Sequence, residues 1–278
     1  MKLFRSRDRV AAGQRQKTTA SLVQATALYQ AARFVEAEVE ARAVASRRSW
    51  PPRRDAPLAR ALAAAATSAQ GRHIEALTEY DALLLVFRGV FGTEHPQTLT
   101  LRSNRAQTLT ALSRYAECEK ECAAVARAAA RGKGPEMPYI AAAAQNGLIY
   151  SLNGQGRHQE AEILAREALG APPPGTGRFE LVLRLGLARS LNGQGRHEEA
   201  LTEAERTAAL RSSLSRELQL PEAGAVELAM GSALLGLGRG PEARACASTA
   251  HDACLTTFGP DHHRTAEALA LIERIDGA

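Results

Sequence analysis

The chain is 278 residues long, 45% apolar but only 4% aromatic, and carries a formal net charge of +5. It contains no apolar run near the roughly 18 residues a membrane helix needs, and its first twenty residues lack the apolar centre of a secretory signal. Composition thus speaks against a spanning protein and predicts a soluble, cytoplasmic one whose abundant alanine suits helices packed at close range.

The charge excess lies in a basic arm, residues 1–17, where Lys2, Arg5, Arg7, Arg9, Arg15 and Lys17 outnumber the single acid Asp8 and leave residues 18–278 formally neutral. Such an arm is a solvated tail, an attractor of acidic partners or phosphates, or a helix packing on the body or on a second copy. "RRSWPPRRD" at 47–55 sets four more arginines around Trp50, the only tryptophan.

From there one turn recurs: "AARFVEA", "QGRHIEA", "LSRYAEC", "QGRHQEA", "QGRHEEA" and "LGRGPEA", with arginines Arg33, Arg72, Arg114, Arg157, Arg196 and Arg239 spaced 39 to 43 residues apart. A period near 40 marks a solenoid of helix–turn–helix units. Gly71, Gly156, Gly195 and Gly238 are placed to end each first helix in the left-handed conformation. The glutamate three residues after each arginine (Glu36, Glu75, Glu117, Glu160, Glu199, Glu242) falls in the first turn of the second helix, where the helix dipole favours it. Small residues are predicted to let helices approach at Ala37, Ala76, Cys118, Ala161, Ala200 and Ala243. Eight before the arginine they recur as Ala25, Ala64, Ala106, Ala188 and Gly231, with Ile149 the exception. Leu28, Leu109, Leu152, Leu191 and Leu234 are expected in the core, with Thr67 the departure. Gly154, Gly193 and Gly236 recur in phase and are expected to weaken the last turn of their helices and leave backbone accessible. Prolines, including Pro51, Pro52, Pro135, Pro138, the run Pro172–Gly175, Pro221 and Pro241, are expected at loops and first turns. A lone helix from about Asp261 to Ile275 is expected to cover the last apolar face.

Residues that tempt a chemical reading are absorbed by this phase. Gly154 and Gly156 follow an amphipathic helix rather than a strand, unlike a phosphate loop. His73, His158 and His197 occupy the place held by Phe34 and Tyr115. Cys118 with Cys122 and Cys246 with Cys254 read as small core residues, and His262 and His263 near His251 and Asp252 match no ligand spacing. The sequence therefore predicts no catalytic residue, metal or cofactor, and a protein that is not an enzyme.

The pattern resembles the tetratricopeptide repeat, in its long-period, kinesin-light-chain-like variety found in bacterial regulatory proteins. The resemblance covers about residues 18–276 and is carried by the repeated turn and by "VFGTEHPQTLTLRSNRAQTL", which looks like the family's F-G-x-x-H-P-x-T-L loop followed by R-x-N-x-A at Arg102, Asn104 and Ala106. "FGPDHHRTAEAL" repeats that loop, departing at His263, where proline is usual. The resemblance implies an all-α, right-handed α-solenoid of about six helix–turn–helix units plus a C-terminal capping helix, with first helices lining a concave groove that holds a protein or peptide segment. Ser103, Asn104, Gln107, Asn146, Tyr150, Asn153, Arg189 and Asn192 are the groove positions that packing does not require. An amide side chain donates to a carbonyl and accepts from an N–H at once, and so holds a peptide without reading its sequence. The function this implies is a non-catalytic adaptor or regulatory scaffold. The alternatives are nucleic-acid contact through the basic arm, a homodimer filling the groove with itself, and an enzyme site inside the superhelix built on histidines and Arg189.

Overall fold

The computed structural model describes residues 21–47, 55–170 and 177–277. The basic arm, Trp50 with Pro51 and Pro52, and the run 172–175 lie outside them. Among the described residues the elements are α-helices and one short 3₁₀ turn: α1 (Leu22–Gln30), α2 (Phe34–Ala45), α3 (Asp55–Ala69), α4 (His73–Val90), α5 (Pro96–Ala111), α6 (Tyr115–Arg131), α7 (Met137–Gly154), α8 (His158–Gly170), α9 (Gly177–Gly193), α10 (His197–Ser212), α11 (Arg216–Gln219), the 3₁₀ turn Leu220–Glu222, α12 (Ala225–Gly236), α13 (Gly240–Phe258) and α14 (His263–Asp276). Six pairs follow, α1/α2 to α9/α10 and then α12/α13, with α14 packed on the last of them. Only α11 and the 3₁₀ turn depart from the predicted order.

The repeated turn works as its residues dictate. Each second helix starts directly after its arginine, and the arginine pairs with the glutamate three residues on, at 2.5–2.9 Å for Arg72, Arg114, Arg157, Arg196 and Arg239, with Arg33–Glu36 alike. Gly71, Gly156, Gly195 and Gly238 have φ between 72° and 83°, while Ala32 (58°) and Ser113 (56°) take the same left-handed conformation without glycine, at a cost of roughly 1–2 kcal/mol each. The six small residues after the glutamates are completely buried.

The second glycines close their helices and stay exposed, as expected, and they have a packing task as well. A Cβ on Gly154 would lie 2.5 Å from the Tyr115 ring, and on Gly193 and Gly236 it would lie 2.3 Å from the rings of His158 and His197. Each glycine is thus a seat for the aromatic residue that opens the preceding unit's second helix, while the glycine itself stays exposed.

The Ile149 exception is balanced in the same way. Ile149 is fully buried, and a Cβ on Gly186 of the next first helix would stand 2.7 Å from its β-branch methyl. Gly186→Ala is expected to lower stability by about 1–3 kcal/mol through overpacking. Adding Ile149→Leu, which lacks that methyl, should recover part of the loss in urea unfolding; simple additivity would show that the two residues do not share the space.

A clasp between units completes the motif. Gln70, Gln155 and Gln194 donate at 2.8 Å to Glu38, Glu119 and Glu162 on the preceding second helix. Arg72, Arg157 and Arg196 bind the same three carboxylates. The third and sixth units have Leu112 and Leu237 in place of the glutamine, and in the third Leu112 and Leu77 join one apolar cluster instead.

The two F-G loops share one geometry. His95 and His262 each cap the following helix by accepting a backbone N–H at 3.2 Å on Nδ1. Phe91 and Phe258 stack on them at 5.3 and 4.3 Å. Thr98 and Thr265 donate to the carbonyls of Gly92 and Gly259 at 2.7 and 2.8 Å. Proline at 96 takes no part in these bonds, which is why His263 is tolerated in its place.

Candidate binding face

First helices touch one another in succession, α3 with α5, α5 with α7, α7 with α9, α9 with α12, whereas each second helix packs chiefly between its own first helix and the next. Elements on the inside of a curve lie closer than those outside, so the first helices form the concave face. Two hollows open on it.

The first hollow, about 440 Å³, lies between α5 and α7, with Thr100, Ser103, Asn104 and Gln107 on one side and Tyr139, Ile140 and Ala143 on the other. The second, about 430 Å³, is a chamber between α7, α9, α12 and α14. Along α7, Tyr139, Ala143, Asn146 and Tyr150 succeed one another by three or four positions and so share one helix face. That stripe runs from the groove to the chamber.

The eight sequence-predicted residues separate along it. Ser103 is buried in the groove wall and donates to the Leu99 carbonyl of its own helix. Asn104 and Gln107 line the groove, and among the described residues their amides make no side-chain hydrogen bond. Asn146 lies between the two hollows, its Oδ1 buried with no partner. Tyr150, Arg189 and Asn192 line the chamber, the Arg189 guanidinium 4.7 Å from the Tyr150 ring centroid and 2.6 Å from Glu267.

Asn153 belongs with packing instead. It is buried, donates to the Gly186 carbonyl and Ser190 Oγ on α9 at 3.2 and 3.0 Å, and holds His158 Nδ1 on its Oδ1 at 3.0 Å. Asn192 repeats the pattern, with His197 at 3.1 Å and the Ala229 carbonyl at 3.4 Å, while still facing the chamber.

Sequence reasoning passed over Tyr139 and the contribution of α14. Tyr139 was findable, since it stands eleven residues before Tyr150 on one stripe. Arg264, Glu267 and Arg274 of α14 also line the chamber. Enclosure pushes the Glu267 carboxyl up, but Arg189 and Arg264 outweigh it and hold it below the usual carboxylate range. The chamber thus presents an ionised pair beside an aromatic ring, a setting for backbone and charged groups of a ligand.

Residues 56–120, the second unit and most of the third, match the family model described as tetratricopeptide repeat. That stretch is similar to a tetratricopeptide repeat. A solved structure described as a tetratricopeptide repeat protein from Parabacteroides merdae ATCC 43184 is 15% identical, with a TM-score of 0.43 over 91% of this chain and 97% of that one. No curated protein matches the chain. Repeats of this kind offer their concave surface to other proteins. Among the described residues no group of three or more His, Cys, Asp or Glu is placed to share a metal ion, and no helix is long and apolar enough to cross a membrane.

Proposed function

We propose that this protein is a non-catalytic scaffold of the kinesin-light-chain-like, bacterial kind, which binds a protein or peptide segment along the inner faces of its first helices in a regulatory or adaptor role in the cytoplasm. One observation carries the reading: the amides of Asn104 and Gln107 and the orphan Oδ1 of Asn146 lie on one inner surface, next to the stripe from Tyr139 to Tyr150, and the fold leaves them unused. A buried amide oxygen without a partner is unfavourable by about 1–3 kcal/mol, and a peptide N–H on it would remove that penalty. An extended segment lying across the groove towards the chamber would meet amides for its backbone and aromatic rings for its side chains.

The test is capture from nuclease-treated extract of the native cell with three baits: wild type, residues 20–278, and Asn104→Ala with Asn146→Ala. One protein enriched by the first two and reduced about tenfold or more by the double variant is the expected result. Retention of every partner by the double variant would overturn the groove assignment, and partners lost only with residues 1–19 would move the function to the basic arm.

A further inference from the structure

The two ends of the solenoid meet. The loop from Phe258 to His263, which joins α13 to α14, lies against the tight turns of the first and second units. Phe34, at the start of α2, stacks on Phe258 with ring centroids 6.4 Å apart. His73, at the start of α4, lies 5.7 Å from His263 and 6.5 Å from His262, and these two are 4.3 Å from each other. A Cβ on Gly71 would stand 2.5 Å from the Asp261 carbonyl oxygen, whereas at the equivalent Gly156, Gly195 and Gly238 it would meet nothing within 4 Å. This close approach is therefore peculiar to the second unit and is not a property of the repeat.

His73 is also the exception among its equivalents. His158 and His197 are seated on glycines of the next unit; in phase with those glycines the third unit has Ala111. The His73 ring binds Ser68 Oγ through Nδ1 at 3.2 Å and points a buried, unpartnered Nε2 elsewhere. We propose that the Phe258–His263 loop is a latch that closes the solenoid end to end beside the concave chamber, and that protonation of the His73–His262–His263 cluster opens it.

The surroundings of the cluster make added charge costly. Arg264 and Glu267 of α14 and Arg189 of α9 face His263, and Arg264 and His73 face His262. Tyr150 of α7 lies beside Arg189, Glu222 stands behind Arg264, and Asp261 contributes its backbone carbonyl against Gly71. Among the described residues Glu267 is the one carboxylate acting on the cluster, and it is already engaged by Arg189. His262 Nδ1 accepts the Arg264 N–H, so its ring gains no proton there without losing the helix cap. Burial first, then the neighbouring cations, pushes His263 down to about 4 and His262 to about 2, and burial lowers His73.

A histidine whose pKa is lower in the closed form than in the open form takes its proton on opening. The closed form is therefore fully favoured above the ordinary histidine value of about 6.5 and loses ground as pH falls from there towards 4, by about tenfold per pH unit for each such histidine. As regulation of the concave face this rests on the peptide-binding reading; the shape change itself does not, and is measured without any ligand.

The experiment is small-angle X-ray scattering with far-ultraviolet circular dichroism on the full chain at about pH 7.5 and about pH 5. Wild type is expected to be compact at the higher pH and longer at the lower, with its helical signal unchanged. Gly71→Ala is expected to be elongated at both, and Gly156→Ala to match wild type, because both carry the left-handed alanine that Ala32 tolerates and only one meets Asp261. His73→Phe with His263→Phe keeps aromatic rings but removes two protonation sites, and should stay compact at the lower pH. The latch is overturned if wild type keeps one size at both pH values, if it lengthens only as helix is lost, or if the double histidine variant opens like wild type. Folded Gly71→Ala indistinguishable from Gly156→Ala would overturn it too.

Discussion

Phe87→Ala is expected to destabilise the protein by about 3–5 kcal/mol, towards the upper end of what core truncations cost. Phe87 is 1% exposed on α4 and packs in one cluster with Tyr80, Leu83 and Leu101, its ring 5.1 Å from that of Phe91. The cost of a cavity depends on how well its walls can collapse, and much of this core is alanine: Ala59, Ala63, Ala64, Ala66 and Ala76 are all fully buried in the same unit. A methyl has no rotamer with which to fill a space left by a phenyl ring. Among the described residues Tyr80 and Phe87 are the largest fully buried side chains, so the walls of the cavity hold little that could move in. Because units of a solenoid contact chiefly their neighbours, amide exchange should rise first in the second and third units while α9 to α13 stay protected. Urea unfolding gives the total; a loss below about 1 kcal/mol would mean that the helices close over the cavity.

What the sequence revealed of this fold is what lies within a few residues of each arginine. The left-handed residue, the arginine–glutamate pair and the buried alanine act over less than one helical turn, so their spacing alone located all six units. The F-G loops were legible for the same reason: Phe, Gly, His and Thr at 91, 92, 95 and 98 return at 258, 259, 262 and 265 and make the same bonds.

Features that join units were visible as residues but not as contacts. Gln155 and Glu119 stand 36 positions apart, and their link emerges only when the stacking of units is known. Asn153 was placed in the groove because one helix alone cannot show that the next supplies Gly186 and Ser190 for its amide. The seam between the ends was further out of reach. It depends on rotations from unit to unit that accumulate over the solenoid, and no residue pattern in one unit states their sum. Residues 213–224, between α10 and α12, were left unassigned because their short α11 and 3₁₀ turn carry no apolar period of their own.

That unassigned segment supplies the second large effect: Glu222→Ala is expected to cost about 2–4 kcal/mol, somewhat below the usual figure for breaking a buried ion pair. Glu222 is 6% exposed and accepts from Arg178 at 3.1 Å and from Arg264 at 3.4 Å. The two arginines differ in what they lose. Arg178 is half exposed and regains water, so its share is small. Arg264 is 13% exposed along its side chain and keeps only the Pro221 and Ala223 carbonyls, with its guanidinium 5.5 Å from the Phe258 ring. Its charge would then lose its hydrogen-bonded carboxylate beside the loop that meets the first two units, with Glu267, already paired with Arg189, acting on it without a hydrogen bond. Glu222→Gln, which retains the acceptor and the volume but not the charge, should lose less than Glu222→Ala. Glu222→Ala with Arg264→Met, which removes both charges, should recover part of the loss, since an apolar replacement of a buried pair is often neutral. Thermal unfolding of the four proteins decides it: a double variant no more stable than Glu222→Ala would show that the carboxylate holds the 3₁₀ turn in place by itself and that Arg264 is incidental to it.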